Sequence, residues 1–399
     1  MRVTMVNKYY PPHLGGIEFH MRDLAEALVR HAEIEGVRAI VANEGEERLE
    51  ETLGGVDVVR LPRWRQYSST PIVRGMTGEL RAEAAGTREP GGERPDLFHL
   101  HFPYPWGEFS WLRARTGVPT VVTYHSDIVR QKVALEFYKP FLRQMLQRVD
   151  LVIASSPNMV EHSPFLAEVS HKCRVVPFGI DVDAFAATPE LERRAAELRQ
   201  GHDRPIILFV GRLIYYKGAD VLVRAMASVN ADLVMIGSGP LEPELRERAA
   251  ELGIADRVTF LGGVPFDELK AWYHAADVFC LPSIARSEAF GLVQLEAHAT
   301  GTPVVSTDLT TGVPFANQHE ETGLVVSPDD PRALAEALQA LVEDESLRER
   351  YGARALERVK TGFTIERMVE DTLCVYREAL SGTSGCADTD TDADAVSAP

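Results

Sequence analysis

Short apolar runs recur along this chain, separated by stretches whose apolar residues follow a helical spacing. In the first half the runs fall at residues 3–7, 37–42, 56–61, 97–101, 120–124 and 151–155. The second half repeats the rhythm at 206–210, 233–236, 258–261, 278–281, 304–306 and 324–326. Helical patterns fall between them, for example over 18–30, 220–228 and 243–252. Strands alternating with helices predict an α/β protein with parallel, doubly wound sheets. Ligands of such sheets bind beyond the carboxyl ends of the strands.

The rhythm breaks between Pro177 and Pro205, where a turn-like Phe178-Gly179-Ile180-Asp181 precedes a charged, Ala-rich stretch over 189–200. Two doubly wound domains, 1–180 and 181–364, joined there would face each other across a cleft. Residues 86–96 mix Gly, Pro and charge and read as a surface loop. The end of the chain is rich in Ser, Thr, Asp and Ala, so 381–399 is expected to be a disordered tail.

A length of 399 residues exceeds one ordinary core and agrees with two domains. No apolar run approaches the roughly 20 residues that span a bilayer, and the first residues read as a strand rather than a secretory leader. A cytoplasmic location is expected. The spacings of Cys173, Cys280, Cys374 and Cys386 match no zinc or redox pattern. Residues 1–180 carry 22 basic and 22 acidic side chains, so the net charge of −17 falls on the rest. An acidic chain repels nucleic acid, which is not an expected partner. Only the neutral half could approach a membrane. There Arg60-Leu61-Pro62-Arg63-Trp64-Arg65 mixes cations with an aromatic ring, as a lipid contact or an ordinary loop.

Several residues could carry chemistry. Gly15 and Gly16 follow the first strand and open a helix, a turn that lets backbone N–H groups approach a phosphate or that serves structure alone. Arg212 and Lys217 leave the carboxyl edge of the strand over 206–210, where a guanidinium fork and an ammonium suit a diphosphate. Glu288 and Glu296 flank Phe290, Gly291 and Leu292 at the start of a helix over 292–300. That pairing offers two acceptors for sugar hydroxyls with helix-end N–H groups between them. The structural alternative is a capping Glu288 and an exposed Glu296. His101 and His125 end two strands, and Asp127 could orient or charge His125.

Asp181-Val182-Asp183 and the Asp-rich run from Asp388 to Asp392 contain Asp-x-Asp, which could hold a divalent ion. Neither follows a strand, so no metal is expected, and Arg212 with Lys217 would supply the positive charge instead. Gly237-Ser238-Gly239-Pro240 lacks the third glycine of a nicotinamide fingerprint.

Together these motifs resemble family 4 of the retaining glycosyltransferases, which have the GT-B fold of two Rossmann-like domains across a cleft. The likeness runs from Asn7 to about Leu380. It rests on the Gly15-Gly16 loop, the Tyr124-His125 strand end, Pro177-Phe178-Gly179-Ile180-Asp181, Arg212 with Lys217, and Glu288 with Glu296, in family order. The resemblance implies a metal-independent hexosyltransferase that needs no cofactor beyond its nucleotide-sugar co-substrate. Gly16 would meet the donor phosphate, and His125 would sit beside the transferred sugar. Arg212 and Lys217 would bind the diphosphate, and Glu288 would hold donor-sugar hydroxyls. Phe290, Gly291 and Leu292 would offer backbone N–H groups, and Glu296 would hold the ribose. The helix over 365–380 would return to the first domain. The run Ser283–Glu288 with Thr311-Gly312-Val313-Pro314 is similar to bacterial rhamnosyl/mannosyltransferases. It implies GDP-mannose as donor, a saccharide or lipid-linked acceptor, and polysaccharide assembly. A sugar-nucleotide epimerase or a phosphorylase on the same fold, and a non-enzymatic sugar-binding protein, are the competing readings.

Overall fold

The computed structural model describes residues 1–13, 15–67, 70–87, 93–128 and 132–382. The middle of the expected 86–96 loop and the expected tail beyond residue 382 lie outside them. The chain folds as two compact units. The first comprises Met1–Ser155, Ser163–Pro177 and the chain from Ile365 onward. The second comprises Ser156–His162 and Phe178–Thr364.

The first unit contains β1 (Arg2–Val6), β2 (Gly36–Ala42), β3 (Leu49–Leu53), β4 (Val56–Leu61), β5 (Arg63–Tyr67), β6 (Thr70–Val73), β7 (Leu97–Phe102), β8 (Thr120–Tyr124), β9 (Leu151–Ala154) and β10 (Cys173–Val175). Eight of them form one sheet in the order β10-β9-β8-β7-β1-β2-β4-β3. Its neighbours run parallel except β3, which pairs antiparallel with β4. All six residues of β7 are buried, as expected for a strand covered on both faces. Met5, Met21, Val121 and Ile153 share a core with Leu373 and Tyr376 of the helix Ile365–Ser381. That helix is part of the first unit because its apolar stripe is buried there.

β5 and β6 form a separate antiparallel hairpin. The sequence pattern does not predict it, since Arg63-Trp64-Arg65-Gln66-Tyr67 lacks an apolar alternation. Arg60 does not belong to that exposed strip. It is buried at the end of β4, bonded to Glu51 at 2.6 Å and to the carbonyls of Tyr10 and Pro11. Of the rest of the expected lipid contact, Leu61 is buried, Pro62 and Arg63 are half-buried, and Trp64 and Arg65 are exposed.

The second unit holds β11 (Ile206–Val210), β12 (Asp232–Ile236), β13 (Val258–Gly262), β14 (Val278–Leu281), β15 (Val304–Thr307) and β16 (Gly323–Val326). They form a wholly parallel sheet in the order β13-β12-β11-β14-β15-β16. Strand order reverses at β11 and β14, and the loops carrying the candidate residues leave the carboxyl ends of these two strands. The charged stretch after Phe178 is no open linker. Thr188 caps a helix over Pro189–Arg199, accepting from Leu191 N–H, and Pro189 opens it. Arg194 ties this helix to Glu268 through two hydrogen bonds of 3.0 and 2.7 Å.

Candidate active site

In the second unit, β11 ends at Val210 and the chain turns through Arg212 into a short 3₁₀ turn, Tyr215–Lys217. Gly218 closes that turn with φ +68°. A Cβ there would lie 1.8 Å from the carbonyl oxygen of Pro282, so no other residue fits without moving the loop after β14. The same two loops are stitched by Ile284 N–H donating to Tyr216 O at 2.8 Å. The close approach carries Lys217 to Glu288: Nζ lies 2.5 Å from Oε2. Both side chains are largely buried. Ser283 Oγ donates to the same Glu288 oxygen at 2.9 Å, and Thr311 Oγ1 donates to the Glu288 carbonyl at 2.9 Å.

Burial alone would lower the Lys217 ammonium. The charge and hydrogen bond of Glu288, together with Tyr216, outweigh it and hold the group above its ordinary value, while the nearby Arg212 guanidinium opposes. Lys217 is therefore a permanent cation. Arg212 is exposed on the same loop, close enough that its charge is felt by both Lys217 and Tyr216. These cations and Glu288 thus form one electrostatic group.

Gly291 precedes the helix Leu292–Ala299 with φ +75°, and a Cβ there would meet Leu281 Cδ2 at 2.5 Å. The Phe290 ring is buried against Phe178 and Phe363, with centroids 5.2 and 6.0 Å away, so only its backbone is available for binding. The first N–H groups of this helix, at Leu292 and beyond, form its positive end. Glu296 lies further along the helix and accepts from the buried Tyr273 hydroxyl at 2.6 Å. Of the two acids expected to act together, Glu288 is bound to a cation and Glu296 to a phenol. Tyr273 was not singled out by sequence, being masked by the apolar run around it, and Ser283 entered only as the first residue of the run Ser283–Glu288.

In the first unit, Gly15 and Gly16 open the helix Gly16–Val29. A Cβ on Gly15 would meet Glu18 Oε2 at 2.2 Å, whereas Gly16 has open space around it. The buried Glu18 carboxylate thus lies against the turn expected to take a phosphate.

His125 follows β8 and donates its backbone N–H to Phe102 O at 3.1 Å. Its ring is buried in a histidine group. His101 Nδ1 and His125 Nε2 are 3.0 Å apart, with the rings stacked at 5.3 Å. His99 stacks on His101 at 4.5 Å, and the His20 ring meets His125 edge-on at 5.0 Å. Burial, followed by mutual repulsion among the rings, pushes His99 down to about 3 and His101 and His125 well below the ordinary range. Burial alone takes His20 to about 3. The expectation that Asp127 charges His125 is therefore corrected: the ring is neutral. Asp127 accepts from Tyr124 OH and Ser163 Oγ, both at 2.8 Å. The alternation His99-x-His101 was the legible signal for this group; His20 had none.

His20, His101 and His125 offer nitrogens within 4.8 Å of one another, near enough for a metal ion. Among the described residues no acid joins that group.

Residues 14–184 match the family described as Glycosyltransferase Family 4, and residues 192–358 match Glycosyl transferases group 1. The O-antigen chain mannosyltransferase C of Escherichia coli is 32% identical over 387 residues, covering 96% of this chain and 100% of that protein. The D-rhamnosyltransferase WbpZ of Pseudomonas aeruginosa is 38% identical over 271 residues, covering 67% of this chain and 70% of that protein. The solved sucrose-phosphate synthase of Thermosynechococcus elongatus superposes with a TM-score of 0.78 at 27% identity, covering 96% of this chain and 100% of that one. Its likeness identifies the two doubly wound units as those of the GT-B fold. With both units matched and a relative aligned over nearly its full length, the chain belongs to glycosyltransferase family 4.

Proposed function

We propose that this enzyme transfers mannose from GDP-mannose to a saccharide acceptor, lipid-linked, during polysaccharide assembly, with retention of configuration and without a metal. The Lys217–Glu288 pair carries the reading: a buried ammonium and a buried carboxylate share one loop junction at the sheet's carboxyl edge. Lys217 and Arg212 meet the donor diphosphate. As the bond to the anomeric carbon loosens, negative charge grows on the departing phosphate, and fixed cations stabilise that charge most at the transition state. Glu288 holds a hydroxyl of the sugar while anchoring Lys217. The backbone N–H groups at Gly291 and Leu292 face the diphosphate, and Glu296 takes the ribose hydroxyls.

The Gly15-Gly16 turn serves the donor phosphate, and His125 serves the transferred sugar. The leaving phosphate accepts the acceptor's proton, so no separate carboxylate base is needed. The names of the mannosyl- and rhamnosyltransferase relatives support the sugar class and the polysaccharide setting. Because the second of these is a D-rhamnosyltransferase, nucleotide-activated D-rhamnose is the alternative donor.

Among the described residues no helix is long and apolar enough to cross a membrane. We place the enzyme in the cytoplasm, with the β5–β6 hairpin as its peripheral contact with the inner membrane face. The decisive experiment incubates purified protein with GDP-mannose and a lipid-linked acceptor, against the corresponding D-rhamnose donor and against donor alone. Transfer from GDP-mannose supports the reading. Turnover of donor without acceptor, or transfer of D-rhamnose only, replaces it.

A further inference from the structure

The histidine group of the first unit is more elaborate than one sugar contact requires. His99 and His101 are two residues apart on β7 and therefore project to the same face. β7 and β8 pair with His101 opposite Thr123, which delivers His125 to the end of the neighbouring strand. His99 is fixed at both ring nitrogens: Nδ1 lies 2.7 Å from Tyr376 OH and Nε2 lies 2.7 Å from Thr123 Oγ1. It forms a rigid floor under His101, which in turn makes one hydrogen bond, to His125.

We propose that His101 is a positioning residue, which donates its Nδ1–H to His125 Nε2 and so fixes the tautomer and ring plane of His125. The proposal rests on the reading of His125 as the group beside the transferred sugar. The direction of the bond follows from His101 Nε2, which is buried and has no hydrogen-bond partner among the described residues. Both rings are neutral, so each carries one N–H. If His125 were the donor, the His101 proton would sit on Nε2 as a buried N–H without an acceptor, which proteins avoid more strictly than a bare lone pair. With the proton on Nδ1, His101 leaves only a lone pair unmet. His125 then carries its proton on Nδ1 and has a filled acceptor at Nε2. With the proton on Nδ1 that edge of His125 carries an N–H and no lone pair, so it donates a hydrogen bond and does not remove a proton.

Long-range ¹H–¹⁵N correlation on the full chain labelled at histidine reads the tautomer directly. The expected spectrum shows His125 protonated at Nδ1 and bare at Nε2 near neutral pH. In His101→Leu the two tautomers mix, and kcat falls about tenfold, the scale of one lost hydrogen bond, with donor KM unchanged. His101→Asn places an amide N–H where Nδ1 was and restores most of the rate and the single tautomer. A wild-type His125 protonated at Nε2 overturns the proposal, as does His101→Leu with an unchanged spectrum and rate. Histidine signals shifted by one equivalent of Zn²⁺ overturn it in favour of a metal site. If His101→Leu does not fold, the wild-type spectrum alone decides. Full activity in His125→Phe would remove His125 from the donor site and leave the tautomer result standing, so the two readings fail separately.

Discussion

Lys217 Nζ lies 2.5 Å from Glu288 Oε2, and that one contact joins the loop after β11 to the loop after β14. Removing one partner strands the other as a buried charge, which costs about 3–5 kcal/mol in comparable pairs. Lys217→Met is therefore expected to lower stability by about 3 kcal/mol and kcat by about 10²–10³. The double variant Lys217→Met with Glu288→Gln should recover much of the stability and none of the rate. Urea unfolding and steady-state kinetics on the same samples separate the two effects. A double variant that regains activity would show that the pair serves the fold alone.

Arg212 is exposed, so its loss should leave stability nearly unchanged while kcat falls about 10²-fold, a loss of about 2.7 kcal/mol in transition-state stabilisation. Wild-type turnover in Arg212→Ala would remove it from the diphosphate site.

Tyr273 OH donates to Glu296 Oε2 at 2.6 Å. Tyr273→Phe removes this hydrogen bond from the carboxylate and should raise the donor KM several-fold, at a cost of about 1 kcal/mol in binding, with kcat little changed. An effect on kcat with KM intact would place Glu296 at the reacting sugar instead of the ribose.

Stability should fall in mild acid. Burial depresses His20, His99, His101 and His125, so the unfolded chain binds more protons below its ordinary histidine range and stability rises with pH there. The contribution is present at pH 7 and is lost as pH falls from about 6.5 toward 3, at up to about 1.4 kcal/mol per unit for each ring. Glu108 acts oppositely. Burial raises it to about 8, so its protonation favours the folded state as pH falls from about 8 toward 4.5. These four rings, with His298, which burial also takes to about 3, outweigh Glu108 and the raised Asp371 between pH 6.5 and 4.5. Glu108→Gln should steepen the acid loss, and unfolding free energies at pH 7 and 5 test both signs. A flat profile over that interval would mean that the rings are charged in the fold.

Trp64 is half exposed on the β5–β6 hairpin, with Arg65 and Arg74 guanidinium groups 4.8 and 5.8 Å from its ring centroid, and Tyr67 is more exposed still. Trp64→Ala with Tyr67→Ala should reduce flotation with anionic vesicles, and Arg65→Gln with Arg74→Gln should weaken its dependence on anionic lipid. Arg60→Gln instead should destabilise the fold, because Arg60 is buried on Glu51. Flotation that ignores the first two changes would remove the hairpin as a lipid contact.

Much of the architecture was legible along the chain because period and composition are local properties. The strand runs from β1 to β16 stand out where they are continuous and apolar, and the helices between them show their buried stripe. The exceptions are local in the same sense. β3, the three-residue β10 and the β5–β6 hairpin are polar or short, and the helix Pro189–Arg199 is so charged that it reads as a linker until Thr188 and Pro189 are recognised as its start.

The sequence by itself determined the alternation of strands and helices, the motifs at the strand ends and the residue types that could carry a diphosphate and a sugar. It could not say which side chains meet. Tertiary structure alone decided that Lys217 grips Glu288, that Glu296 pairs with Tyr273, and that His20 of a helix joins His99 and His101 of β7 and His125 just after β8. The reason is physical. A residue's neighbours along the chain set its backbone, but its partners and its charge are set by groups far away in sequence, brought close only when the sheet forms and water is excluded.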